Sequence, residues 1–282
     1  MVVNKFSVPR KIKMTSSLAN GVWCFRTLIW VTFLVAVPSR DVNAGLFEIG
    51  GVTWKEGILL HDGSKIVVTR SQSYGGLHEL GKPSPIKEQE LAFSIPGSDR
   101  KVTFKSEYSD DVGRANFMLL ALHILNGTPY IIAEPNLCLA YNKWGRPNPP
   151  YVMFRYDGSK WKQIALKDLP VEFRDINLVV DTKSDEKVIT AQSLVSVELR
   201  KKLNSSLMQR EYKTILREPI KPGTTASAVN CIKTNYYPKY GWLSPDSFTS
   251  LPSLDACQGF CNNKNIVPEA CPCNEIFNEK GK

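Results

Sequence analysis

From Gly45 to about Val180, apolar and polar positions alternate in short segments broken by turn residues, the pattern of strands with a buried face. Three segments are hairpin-like: Leu59 to Val68 around Asp62-Gly63, Leu122 to Ala133 around Asn126-Gly127, and Val152 to Leu166 around Asp157-Gly158. Each central pair tolerates the positive φ angles that a tight strand connection demands. Two of these turns share Asp-Gly-Ser-Lys, at 62 to 65 and at 157 to 160. That recurrence keeps a small propeller built from repeated blades open beside a two-sheet sandwich, with chain length favouring the sandwich.

After Asp181 the period lengthens. Val188, Ala191, Val195, Leu199 and Leu203 step by three or four residues, which predicts a helix over 184–203. Thr182 and Asp185 have capping-box spacing at its start, and Arg200, Lys201 and Lys202 suit the negative end of its dipole. Met208, Tyr212, Ile215 and Leu216 predict a second helix over 206–218, stopped by Pro219. The expected fold is mainly β and hairpin-rich, a two-sheet sandwich or small propeller-like domain over 45–182. A helical pair over 183–218 packs on it, and a Cys-rich tail follows over 219–282.

Residues 1 to 44 read differently. Basic residues precede an apolar run from Thr27 to Pro38, and a polar stretch then ends in Val42-Asn43-Ala44. This is the plan of a secretory signal peptide cleaved after Ala44, and a start at Met14 would give it more usual proportions. The run is about 12 residues, short of the roughly 20 needed to span a bilayer, so contact with the membrane is expected only transiently, through the signal peptide. An uncleaved anchor and a buried helix are the alternatives.

Composition narrows the class without naming an activity. The 282 residues are 43% hydrophobic and 22% charged, which sets aside collagen-like, coiled-coil and wholly disordered chains. The net charge of +9 falls to +4 once residues 1 to 44 are removed, because six basic residues and one acid leave with them. Beyond Arg200-Lys201-Lys202 no dense basic run remains, so nucleic acid is not an expected partner.

Six cysteines follow the leader: Cys138, Cys231, Cys257, Cys261, Cys271 and Cys273. An even number in an exported chain predicts a disulfide framework, with fifteen possible connectivities. Five of the six lie in the Pro-rich tail, where cross-links would supply what a small core cannot. The spacings Cys257-x3-Cys261 and Cys271-x-Cys273 fit the zinc knuckle pattern poorly, so no metal and no cofactor are expected.

No nucleophile elbow, phosphate-binding loop, HExxH helix or EF-hand loop occurs. Weak catalytic candidates are His78 and Glu79, in a Gly-flanked loop, and the carboxylates Glu107, Asp110 and Asp111, which could serve acid/base chemistry. His61 and His123 read as sheet residues. The richest segment runs from Cys138 to Tyr151 and contains Lys143-Trp144-Gly145-Arg146-Pro147-Asn148-Pro149-Pro150-Tyr151. Aromatic faces beside amide and cationic groups can stack on sugars or grip a peptide, which makes Tyr141, Trp144, Arg146 and Tyr151 the candidate ligand-binding surface. A second aromatic knot, Tyr236 to Trp242, could extend it.

On Lys143 to Tyr151 and the following Phe154 to Gly158 hairpin, the chain resembles a family of exported proteobacterial proteins without an assigned function. The resemblance covers about Gly45 to Glu218 and implies export from a Gram-negative cell, to the periplasm or the medium. The function expected from the residues is a non-catalytic exported protein that binds a protein or glycan component of the cell envelope. An envelope hydrolase acting on glycosidic or peptide bonds, and a structural or assembly subunit, are the alternatives.

Overall fold

The computed structural model describes residues 50–279 apart from 78–82, 99 and 224–226. The expected signal peptide over residues 1–44, His78 and Glu79 lie outside these described residues. All three expected hairpins form. The first joins β1 (Gly51–Leu59) to β2 (Lys65–Tyr74), the second β7 (Phe117–Leu125) to β8 (Thr128–Pro135), and the third β9 (Val152–Tyr156) to β10 (Trp161–Ile164). Asn126 and Gly127 hold φ of 50° and 71°, the mirror-image geometry that lets a two-residue turn follow strand twist. In the two Asp-Gly-Ser-Lys turns the aspartate Oδ1 accepts the N–H of Ser64 or Ser159 at 2.9 Å, and the serine hydroxyl as well. The shared tetrapeptide is therefore common turn chemistry.

Strands β1, β2, β3 (Ile86–Ser94) and β4 (Lys101–Ser106) form one antiparallel sheet in chain order; β10, β9, β8 and β7 form the other. A two-stranded link, β5 (Tyr108–Ser109) and β6 (Arg114–Ala115), connects them. The sheets pack face to face as a sandwich. Ile58, Val68, Leu91, Phe93 and Phe104 of the first meet Leu119, Leu122, Ile131 and Phe154 of the second in one core. On the first sheet the alternation is clean because its outer face is exposed. Strands β7 and β8 are buried on both faces, which is why they read as continuous apolar runs.

The third layer covering the second sheet is residues 166–220. Leu169, Phe173, Ile176, Ile215 and Leu216 pack on Leu120, Ile132 and Met153. Here the structure corrects the expected helical pair. The helix over 184–203 is two short helices, α2 (Glu186–Thr190) and α3 (Val197–Ser205), split by an extended Val195. Val195 N–H donates to the Lys55 carbonyl and its carbonyl accepts from Gly57 N–H, adding a short parallel bridge to the edge of β1. Ser196 then caps α3 by accepting Leu199 N–H at 3.1 Å. Over 206–218 only a single 3₁₀ turn, Arg210–Tyr212, forms. Ile215 N–H is taken by the Arg174 carbonyl, and burial of the adjacent Ile215 and Leu216 against the sheet outweighs helix periodicity.

The layer is sewn down by side chains that imitate a strand. Asn177 accepts Leu122 N–H at 2.9 Å and donates to the carbonyls of Leu122 and Leu59 at 2.7 and 3.1 Å, tying both sheets together. At the polar end of the sandwich, buried Arg70 and Glu56 pair at 3.1 Å. Glu56 also accepts Val179 N–H at 2.6 Å, and Arg70 donates to the Val179 carbonyl at 2.8 Å.

The tail follows with α1 (Leu137–Lys143), which precedes β9, as its anchor on the sandwich. It comprises a hairpin of β11 (Asn235–Tyr237) and β12 (Gly241–Leu243), then α4 (Asp246–Thr249), α5 (Leu254–Asn263) and α6 (Cys273–Glu279). All six cysteines among the described residues are paired: Cys138–Cys231, Cys257–Cys273 and Cys261–Cys271. Cys257 and Cys261 lie one turn apart on α5, so the x3 spacing presents both sulfurs to the 271–273 segment. The Sγ atoms of Cys261, Cys271 and Cys273 lie within 4.8 Å of one another because two neighbouring disulfides bring them there. Phe248, Tyr237 and Ile266 complete a small core around these bridges. Among the described residues no helix is long and apolar enough to cross a membrane.

Candidate functional site

The Cys138 to Tyr151 segment turns its chemistry inward. Tyr141 and Tyr151 are each 2% exposed. Trp144 packs at 4.6 Å on the Phe117 ring and donates its indole N–H to Asn116 Oδ1 at 3.3 Å. Arg146 stacks over Tyr141 and donates to Asn142 Oδ1 and the Cys231 carbonyl at 2.9 and 2.7 Å. Burial withdraws Tyr141 and Tyr151 from the expected outward-facing surface, while Trp144 and Arg146 stay half-buried and engaged in the contacts just given. In the aromatic knot of the tail the Trp242 indole N–H donates to the Asp111 carbonyl, Tyr237 is buried and Tyr236 is exposed.

What the segment does is clamp later chain onto the sandwich. Cys138 is bonded to Cys231. One turn further along α1, Asn142 donates to the Ile232 carbonyl and accepts Thr234 N–H, both at 3.0 Å. Asn148 exchanges two hydrogen bonds with the backbone of Ile220, at 2.9 and 2.7 Å. The Tyr151 hydroxyl lies 3.1 and 3.2 Å from the carbonyls of Glu211 and Thr214 and accepts Leu216 N–H at 3.3 Å.

Glu107, Asp110 and Asp111 lie at the β5–β6 link. Glu107 and Asp110 are exposed, and Asp111 is ion-paired with Lys143 at 2.8 Å. That pair holds the Asp111 carboxyl below its usual range even though partial burial opposes it. None of the three lines the cavities described below. His123 is buried in β7 and stacks on Phe173, with Nε2 2.9 Å from the Asp175 carbonyl. His61 meets the edge of the same phenyl ring at 5.1 Å.

Two cavities open beside the 3₁₀ turn. One, about 460 Å³, has apolar walls of Ile215, Leu216, Pro219 and Ile220 and a charged rim of Arg210, Arg217, Glu218 and Lys221, with Glu211 at its edge. The other, about 330 Å³, is bordered by Asp175, Asn177, Arg200, Lys201, Tyr212 and Lys213. Glu211 and Tyr212, adjacent in the chain, thus each border one of them. A third, about 380 Å³, lies at the far end of the sandwich near Arg100, Arg155 and Tyr156.

Between the turn and the end of β8 lies a pair of acids that the sequence reading passed over. Glu134 is 3% exposed and Glu211 1%. Burial pushes the Glu134 carboxyl up to about 8; a hydrogen bond from Tyr212 opposes this and Glu211 reinforces it. Burial, with Glu134 beside it, also drives the Tyr212 phenol well up. Oε2 of Glu134 and both carboxylate oxygens of Glu211 have no hydrogen-bond partner among the described residues. A signal was present in Ile131-Ile132-Ala133-Glu134-Pro135, an acid closing an otherwise apolar strand. No family model, curated protein or solved structure matches the chain.

Proposed function

We propose that the chain is exported and binds a protein or glycan component of a Gram-negative cell envelope without catalysing a reaction. The observation that carries this reading is the cavity of about 460 Å³ under residues 210–221, a size suited to a ligand fragment, with apolar walls and a charged rim. Its wall is preorganised: Tyr151, Asn148 and the Arg217 bonds to the Leu169, Pro170 and Phe173 carbonyls hold it on the sandwich. A wall fixed in advance lowers the ordering cost of binding. The aromatic segment then serves as scaffold for the site. Export is supported by the leader-like residues 1 to 44 and by pairing of all six later cysteines.

The test uses the disulfide-bonded chain beginning at Gly45, cosedimented separately with purified peptidoglycan sacculi and with outer-membrane protein fractions. Retention by one of them, reduced in the Arg210→Glu/Lys221→Glu variant, is expected. Wild-type retention by neither, or equal retention of the variant, would overturn the assignment to this cavity.

A further inference from the structure

Glu134 and Glu211 differ from the other enclosed charges of this chain. Buried Arg70 faces Glu56 at 3.1 Å, but among the described residues no lysine, arginine or histidine pairs with either of these two acids. Glu134, 3% exposed, is the next-to-last residue of β8, and Glu211, 1% exposed, sits in the 3₁₀ turn Arg210–Tyr212. The titratable groups around them are phenols. From the turn the Tyr212 hydroxyl donates to Glu134, while Tyr141 of α1 and Tyr151, which leads into β9, lie within electrostatic reach of it. Arg146 lies over the Tyr141 ring, yet its guanidinium is committed to Asn142 and the Cys231 carbonyl. Of the cations flanking the turn, Arg210 is exposed and Lys213 donates to the carbonyls of Asn204 and Ser205.

Two negative charges are costly in such an enclosure. Burial strips water from both, no cation offsets them, and their repulsion adds to the cost, so the stable arrangement keeps one acid neutral. Glu211 borders the larger cavity and Glu134 borders none of the three, which leaves the charge on the acid nearer water and the proton on Glu134. A retained proton also makes a donor of one oxygen where three of the four otherwise lack a partner among the described residues. The two acids are held unequally. Strand β8 is laddered to β7 and to β9, whereas the turn is held by separate bonds, among them those of the Tyr151 hydroxyl to the Glu211 and Thr214 carbonyls. Repulsion therefore displaces the turn and leaves the strand in place. We infer that Glu134 keeps its proton in the folded chain at neutral pH and forms with Glu211 a pH-sensitive latch: alkali ionises Glu134, and the turn that borders both cavities is released from the end of β8. This goes beyond the envelope-binding reading and is tested without any ligand.

The full disulfide-bonded chain, isotope-labelled at its glutamate carboxyls, is titrated from pH 6 to 9 while infrared and carbon NMR spectra are recorded. One glutamic acid should still be protonated at pH 7 and titrate at about 8, and its signal should be missing from Glu134→Gln. The folded chain then holds a proton that the unfolded chain releases in the ordinary carboxylate range, so stability falls as pH rises towards 8. In urea unfolding the wild-type folding constant should drop about tenfold from pH 6 to 7 relative to Glu134→Gln, whose amide mimics the neutral acid. Hydrogen exchange, corrected for its intrinsic pH dependence, should show the Ile215 and Leu216 amides losing protection above pH 8 in wild type and keeping it in the variant. Wild-type spectra with every glutamate ionised at pH 7 would overturn the inference, even where the variant fails to fold. So would parallel stability curves, or wild-type protection at Ile215 and Leu216 that alkali leaves unchanged.

Discussion

His123 predicts a specific acid weakness. It is 0% exposed in β7, lies flat on Phe173 at 4.7 Å, and its Nε2 reaches the Asp175 carbonyl at 2.9 Å. Burial holds the imidazole down to about 4, while the Asp175 carbonyl pulls the other way and nearby His61 adds to the depression. In the unfolded chain the same ring titrates near 6.5. Between these values the unfolded state binds one more proton than the native state, so stability falls as pH falls. The slope is about 1.4 kcal/mol per pH unit, or about 3 kcal/mol lost from pH 6.5 to 4. His123→Phe keeps a ring against Phe173 but strands the Asp175 carbonyl, costing about 1 to 3 kcal/mol at pH 7. Urea unfolding of both proteins at pH 7, 6, 5 and 4.5 isolates this residue, because every other titrating group is common to the pair. The stability gap should close as pH falls, with the variant matching or overtaking wild type by pH 4.5. Parallel curves would show that the native imidazole titrates normally and that the buried neutral ring is the wrong description.

Three further perturbations test the architecture. Trp144→Ala should cost about 3 kcal/mol in denaturant unfolding, because the indole packs on Phe117; an unchanged midpoint would return Trp144 to the surface. Removing the Cys138–Cys231 bridge, which closes 93 residues, should cost about 4 kcal/mol and expose residues 227–234 to limited proteolysis. Arg70→Met should cost about 3 to 5 kcal/mol at neutral pH, since it leaves Glu56 buried without its cation, and a smaller loss in a calorimetric scan would mean that Val179 N–H alone suffices.

What the sequence made legible was local. Asp62-Gly63, Asn126-Gly127 and Asp157-Gly158 dictate their hairpins because the backbone at each turn must adopt angles that few residues tolerate, whatever surrounds them. The cysteine count gave a framework, since six sulfurs in one chain can all pair. The third layer was not legible because distant partners decide it. Val195 fits a helical face in sequence and is drawn out of it by Lys55 and Gly57, while Ser196 restarts the helix. Glu134 and Glu211 were missed for the same reason: neither has a motif around it, and the fold alone brings them together.

The aromatic segment shows why a chemistry-rich stretch can mislead. A layer such as 206–220, with little regular secondary structure, cannot satisfy its backbone by a ladder, so its N–H and C=O groups must find side chains. Asn142 and Asn148 each donate and accept through one amide, Arg146 covers a carbonyl, and the Tyr151 hydroxyl serves three backbone groups. Amides, a guanidinium and phenols beside apolar rings are also what a ligand site needs, so composition alone does not separate the two uses. The same economy reaches Glu211, whose carbonyl is taken by the Tyr151 hydroxyl. A chain that spends Asn142, Arg146, Asn148 and Tyr151 on satisfying backbone has put the polar chemistry of that segment to structural use, which is why its composition read as a ligand site.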